Sequence, residues 1–304
     1  MLQRDIFIKE ITKKLDKDKN IFFLSADFGA EALDELRERF PENFIHCGIS
    51  EQAMMDVATG LALEKNKVFV YAMAPFVSLR SIEQTKCGPG LMDLPICIIS
   101  VGIGLGYADS GPTHYATEDF ACFRAINKVS IFTPSDNLTT QILAKQLIEK
   151  PIFSYVRLDR HLLKEIDSKI DKEIFKKGFR IIGEVKKNKV AIISHGKMLH
   201  RCIKVQKKNP DKFYCIDIIQ TKPFPETLFE TIKDSKGIVA VDEQGPSGSL
   251  SSCIFEGLSS KLSYPKIIPI NLPDNFIFEN GGRDYLLDRN GLSVESIDKT
   301  CNKF

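Results

Sequence analysis

Three observations predict an α/β chain of two domains, each a mostly parallel sheet flanked by helices. Short apolar or β-branched runs alternate with helical patterns through roughly the first 160 residues, and the alternation restarts near 190. Between them, 161–189 is dense in Lys, Asp, Glu and Ile and reads as a linker region. Several strand-like runs, such as 95–101, are almost wholly apolar, as strands covered on both faces require.

In chain order, residues 2–16 read as a helix and 21–25 (IFFLS) as a short buried strand. Residues 31–39 are charged and helical, and 44–46 is strand. In 51–64, Ala53, Met54, Val57, Ala58 and Leu61 recur at helical spacing, with Ser50 placed as N-cap. Strand 67–71, helix 77–87, strand 95–101, strand 129–133, helix 136–149 and strand 155–158 follow. The second set is strand 190–194, helix 198–208, strand 213–218, helix 225–233, strand 237–241, helix 249–261 and strand 266–270.

Composition excludes several classes. The 42 basic and 40 acidic residues leave no basic footprint for nucleic acid. No apolar stretch suits a bilayer span, the longest being short and glycine-rich, and the first residues show no secretory apolar region. The eight cysteines form no C-x-x-C pair, which fits reduced thiols in a cytoplasmic protein. The five histidines lie far apart and none pairs with a carboxylate at ligand spacing, so no metal site is expected.

Gly102, Gly104 and Gly106 follow a strand but lack the spacing of a dinucleotide fingerprint, since Tyr107 stands where the last glycine belongs. Those glycines suit a loop that passes close to a ligand or another backbone. Ser247, near His195 only in residue type, lies in GPSGS and not on a nucleophile elbow; a turn capping the 249–261 helix is the simpler reading. Two features invite chemistry. Glu51 is an acid in a helix's first turn, ordinarily a dipole-compensating surface charge. His114 ends Gly-Pro-Thr-His at 111–114, a rigid loop beyond the carboxyl end of a strand, where open parallel sheets bind ligands.

Three segments, CGISEQAMMDVATGLAL, DSGPTHYATEDFACFRAINKVSIFTPSD and IFSYVRLDR, together resemble the C-terminal half of transketolase and of deoxyxylulose-phosphate synthase, both thiamine-diphosphate enzymes. The resemblance implies a pyrimidine-binding domain over 1–165, a linker over 166–184 and a transketolase C-terminal-like domain over 185–304, which contains VAVDEQGPSGSL. Glu51 matches the glutamate that donates a hydrogen bond to N1′ of the cofactor's aminopyrimidine, and Phe76 the aromatic that stacks on that ring. His114 matches the histidine facing the reacting carbonyl, and Asp27 resembles an acid lining the cofactor site. Arg160, with Arg157 beside it, matches a binder of the acceptor's phosphate.

Departures bear on substrate. Ser110 stands where transketolases carry an aspartate that reads a substrate hydroxyl, with Asp109 one residue earlier. Gly102 and Ile103 replace a phosphate-binding His or Arg, and Glu31 replaces a phosphate-contacting Ser with a group that repels phosphate. These point to a sugar or sugar phosphate other than the standard pentose phosphates. The family's Gly-Asp-Gly…Asn motif for diphosphate and Mg²⁺ is missing. The expectation is the small subunit of a split enzyme, transferring a two-carbon ketol unit from ketose to aldehyde. A large partner subunit would bring the diphosphate-binding domain and Mg²⁺ in an α₂β₂ heterotetramer. The alternatives are a 2-oxo-acid-decarboxylating subunit, as in deoxyxylulose-phosphate synthase, and a non-catalytic stabilising partner.

Overall fold

A computed structural model describes residues 1–26, 31–166 and 174–304. They divide into two compact units, Met1–Ile103 with Cys122–Glu165, and Gly104–Ala121 with Ile166–Phe304.

The first unit opens with α1 (Gln3–Leu15), β1 (Ile21–Ser25), a 3₁₀ turn at Glu31–Leu33, α2 (Asp34–Arg39) and β2 (Phe44–His46). It continues through α3 (Glu51–Leu63), β3 (Lys67–Met73), α4 (Ala74–Leu79), α5 (Ile82–Thr85) and β4 (Ile96–Val101). The chain re-enters this unit within α6 (Asp119–Ala125) and completes it with β5 (Ser130–Phe132), α7 (Asn137–Glu149) and β6 (Ser154–Leu158). Its strands lie in the order β5-β6-β4-β3-β1-β2, all pairs parallel. β4 is buried along its whole length, as an apolar central strand between helical layers must be. The helix expected over 77–87 begins earlier and is broken. Pro75 fits the first turn of α4, where its missing N–H costs nothing, and a π-helical turn at Lys86–Gly90 carries Pro89 inside it.

The second unit contains α8 (Ile174–Lys177), β7 (Phe179–Ile182), β8 (Val190–Ser194), α9 (Gly196–Lys208), β9 (Phe213–Ile218) and a short strand β10 (Gln220–Lys222). Then come α10 (Leu228–Ile232), β11 (Gly237–Val241), α11 (Leu250–Leu258), β12 (Ile267–Ile270), α12 (Arg283–Arg289) and α13 (Val294–Cys301). The five-stranded sheet has the order β12-β11-β8-β9-β7, parallel except for the edge strand β7. That strand falls in the segment whose composition suggests a linker, because lysines and acids around it mask its apolar residues. Arg180 faces Asp217 across the β7–β9 register and pairs with it at 2.9 Å, so a charge typical of linkers is here buried and matched. Helices α12 and α13 have no counterpart among the expected elements. Arg201 of α9 holds them, donating to Asp288 at 2.5 Å, to the Leu292 carbonyl at 2.8 Å and to Asp284 at 2.9 Å.

Candidate functional site

The buried stripe of α3 is Glu51, Met54, Met55, Ala58, Thr59 and Ala62, a repeat of three and four residues that begins with the acid. The stripe expected from Ala53 and Val57 is out of phase. Ala53 is exposed and Val57 is 44% exposed, because α3 is apolar on more than one side and hydrophobicity alone does not fix its rotation. Ser50 does precede the helix, yet its hydroxyl makes no capping hydrogen bond. Glu51 is therefore no surface decoration: it is 3% exposed. Its Oε2 accepts a hydrogen bond from Nη1 of Arg80 at 3.1 Å, and the Arg80 guanidinium lies over the Phe76 ring, 4.0 Å from its centroid. Pro75 starts the helix that carries Phe76, and Arg80 stands one turn further on.

A buried carboxyl group beside an aromatic face suits a flat heterocycle that can share a proton with it, such as an aminopyrimidine. The guanidinium, itself planar and rich in donors, already uses both features. Asp27 lies outside the described residues. Glu31 is exposed on the 3₁₀ turn.

Elsewhere in the first unit, β6 ends at Leu158 and the chain turns at Asp159. That turn is fixed from α1: buried Gln3 accepts from the Asp159 N–H at 2.8 Å and donates to the Pro134 carbonyl at 2.8 Å. Arg157 is 1% exposed and donates to Thr133 Oγ1 at 3.2 Å, whereas Arg160 is partly exposed just past the turn.

The Gly-Pro-Thr-His loop belongs to the second unit. Gly111, at φ +78°, takes a left-handed conformation that admits the 3₁₀ turn Pro112–His114. His114 Nδ1 is 2.9 Å from Thr113 Oγ1 and its ring is 6.4 Å from that of Tyr107, while Asp109 and Ser110 are exposed. Tyr115 anchors the turn from below. Burial, then the Glu279 and Asp109 carboxylates, push its phenol above the ordinary range.

The segment after β11 holds this loop in place. Glu243 accepts from the Leu105 N–H at 3.1 Å and from both Nε and Nη2 of Arg283 at 3.0 Å. Gln244 donates to the Ala116 carbonyl at 3.0 Å. Asp242 accepts from the Leu250 N–H at 2.8 Å and thereby caps α11, the role the sequence suggests for the serines. Gly104, at φ +58°, passes so close to Glu243 that a Cβ would stand 2.6 Å from its Oε2. Gly104 thus serves close packing against a side chain. A cavity of about 370 Å³ opens beside the loop, with Pro112, Tyr115, Glu118, Pro246, Leu272 and Phe276 in its wall.

Sequence reasoning misses Arg80, Glu243 and Arg283. The Asp-Glu-Gln run after a strand is the one available signal for Glu243, and the spacing of Phe76 and Arg80 on one helix turn the signal for Arg80. Among the described residues no group of three or more His, Cys, Asp or Glu is placed to hold a metal, and no helix is long and apolar enough to cross a membrane. All eight cysteines are free, and burial pushes the Cys97 and Cys301 thiols up to about 12.

The two sheets flanked by helices define an α/β protein of two units, one holding the buried Glu51 and the other carrying the Gly-Pro-Thr-His loop. Residues 2–165 match the model for the transketolase pyrimidine binding domain and residues 181–297 that for the transketolase C-terminal domain. The chain belongs to the transketolase family. It is 26% identical over 310 residues to one of the subunits of apulose-4-phosphate transketolase from Phocaeicola vulgatus, covering 99% of this chain and 96% of that one. It is 27% identical over 309 residues to 1-deoxy-D-xylulose-5-phosphate synthase of Nitratidesulfovibrio vulgaris, covering 98% of this chain and 47% of that one. A solved protein described as a split gene transketolase, inactive β4 tetramer, shares the fold with a TM-score of 0.86 at 24% identity, over 100% of this chain and 98% of that one.

Proposed function

We infer that the chain is the small subunit of a split, thiamine-diphosphate-dependent transketolase-like enzyme, moving a two-carbon ketol unit from a ketose to an aldehyde. The observation that carries this reading is Glu51, buried at the head of α3 and facing a planar donor stacked on Phe76. Near-complete coverage of a relative that is itself one subunit of a transketolase, against about half of a single-chain synthase, supports the split. In this reading 1–165 is the pyrimidine-binding domain and 185–304 the C-terminal domain, and the connecting stretch 166–184 also supplies edge strand β7 of the second sheet. A large subunit supplies the diphosphate-binding half and its Mg²⁺ in an α₂β₂ assembly. Five buried cysteines among eight free ones favour a cytoplasmic setting.

When bound, the cofactor supplies the carbon–carbon chemistry, and the protein orients it and controls charge. Glu51 would share a proton with the pyrimidine N1′ and Phe76 would stack on its ring, and the family resemblance adds Asp27 to the cofactor-binding residues. His114 polarises the substrate's carbonyl, and Asp109 and Ser110 meet its hydroxyls. Arg160, with Arg157 behind it, meets the distal anionic end of a sugar phosphate. Glu31 and Ser110 turn preference away from the standard pentose phosphates.

The test mixes this chain with its partner, Mg²⁺ and thiamine diphosphate and follows ketol transfer across ketoses and aldehydes. Transfer is expected only from the mixture, and Glu51→Gln is expected to lower turnover about 100-fold or more. Turnover by this chain alone, or undiminished turnover by Glu51→Gln, would overturn the reading. The synthase relative favours a second reading, 2-oxo-acid decarboxylation. CO₂ release from pyruvate without ketol transfer would select it.

A further inference from the structure

We propose that Arg80 is an internal placeholder for the cofactor's aminopyrimidine, seated where that ring would bind and displaced by it. The inference rests on reading Glu51 and Phe76 as the pyrimidine seat. Three features of Arg80 carry it. Its guanidinium donates a charge-assisted hydrogen bond to Glu51 Oε2, at 3.1 Å, and so engages the carboxyl group whose proton a pyrimidine N1′ would otherwise share. It covers the Phe76 face, 4.0 Å from the centroid, at a stacking distance that leaves no room for a second ring on that side. Its side chain is 46% exposed while that of Glu51 is 3% exposed, so the arginine can swing into solvent and the glutamate cannot.

Chemistry explains why a placeholder is useful. A carboxylate buried beside an aromatic ring and left without a partner is costly, and an arginine one helical turn from that ring is well placed to match it. Guanidinium is planar, weakly hydrated and able to stack, so it mimics an aminopyrimidine better than a lysine would. The same fit makes it a competitor. Pyrimidine and guanidinium cannot occupy the Phe76 face and Glu51 Oε2 together, so the free subunit stays satisfied, and cofactor affinity is lowered by the share of molecules in which Arg80 is seated.

The experiment measures thiamine diphosphate affinity by calorimetry on the complex of the full chain with its large subunit and Mg²⁺. Arg80→Met keeps the apolar stem without the charge, and Arg80→Gln keeps donors without a stacking cation. Displacing a half-exposed ion pair costs little, so Arg80→Met is expected to bind the cofactor about five-fold more tightly, with a smaller gain for Arg80→Gln. The cofactor-free Arg80→Met chain is expected to melt below wild type and to regain more on adding thiamine diphosphate. Unchanged or weaker binding by both variants would overturn the placeholder while leaving the pyrimidine seat intact, since it would make Arg80 a bystander or a clamp. Absence of thiamine diphosphate binding by wild type and variants alike would instead remove the seat itself, and the placeholder with it.

Discussion

Glu51 and Gly104 show how much one residue's surroundings decide. In the sequence Glu51 is an acid in a first helical turn, compatible with solvent and the helix dipole. In the structure the rotation of α3 places it first on the buried stripe, where the opposed guanidinium matches its charge. Gly104 carries a sharper expectation. Its φ of +58° is strained for any other residue, and a Cβ there would meet Glu243 Oε2 at 2.6 Å. That oxygen cannot yield, because Leu105 N–H and Arg283 both hold it. Gly104→Ala is expected to lower unfolding stability by about 2–4 kcal/mol, read from urea denaturation.

Among elements, the loop 104–116 and α12 are tied together through one buried carboxylate. Glu243 is 7% and Arg283 6% exposed, so removing either partner strands the other. Arg283→Met is expected to destabilise by about 3–5 kcal/mol, whereas the double variant Glu243→Gln with Arg283→Met loses less than the sum, as a double-mutant cycle would report. Most elements are legible in the sequence because buried parallel strands such as 96–101 are apolar except for one small residue, Ser100. Those that are not legible share a cause. Strand β7 holds a charge, Arg180, whose partner lies 37 positions away on β9, and no local pattern shows that such a charge is matched. Likewise α12 presents mainly polar residues, and its inward Arg283 has meaning only opposite Glu243.

At the scale of the whole chain, charge pairs set how the second unit responds to acid. Burial alone would raise the Asp284 carboxyl, but hydrogen bonds from Lys197 and Arg201 outweigh it and hold the group at about 2, below its ordinary 3.8. A lowered folded value means stabilisation present above about pH 4 and lost as pH falls toward about 2. The effect is small because the side chain is largely exposed. Asp284→Asn is expected to flatten the fall in denaturation midpoint across that window, leaving the midpoint near neutrality slightly lower.

The sequence by itself determined the α/β class, the order of most strands and helices, and the motifs around Glu51, Phe76 and His114. Those are properties of local pattern, where period and residue type suffice. Only the tertiary structure decided that Glu51 faces inward, that Arg80 covers Phe76, and that Glu243 clamps the loop carrying His114. Each depends on groups brought together across helices and sheet edges. Burial and partner set the energy of a charge, and neither is written in its neighbours along the chain.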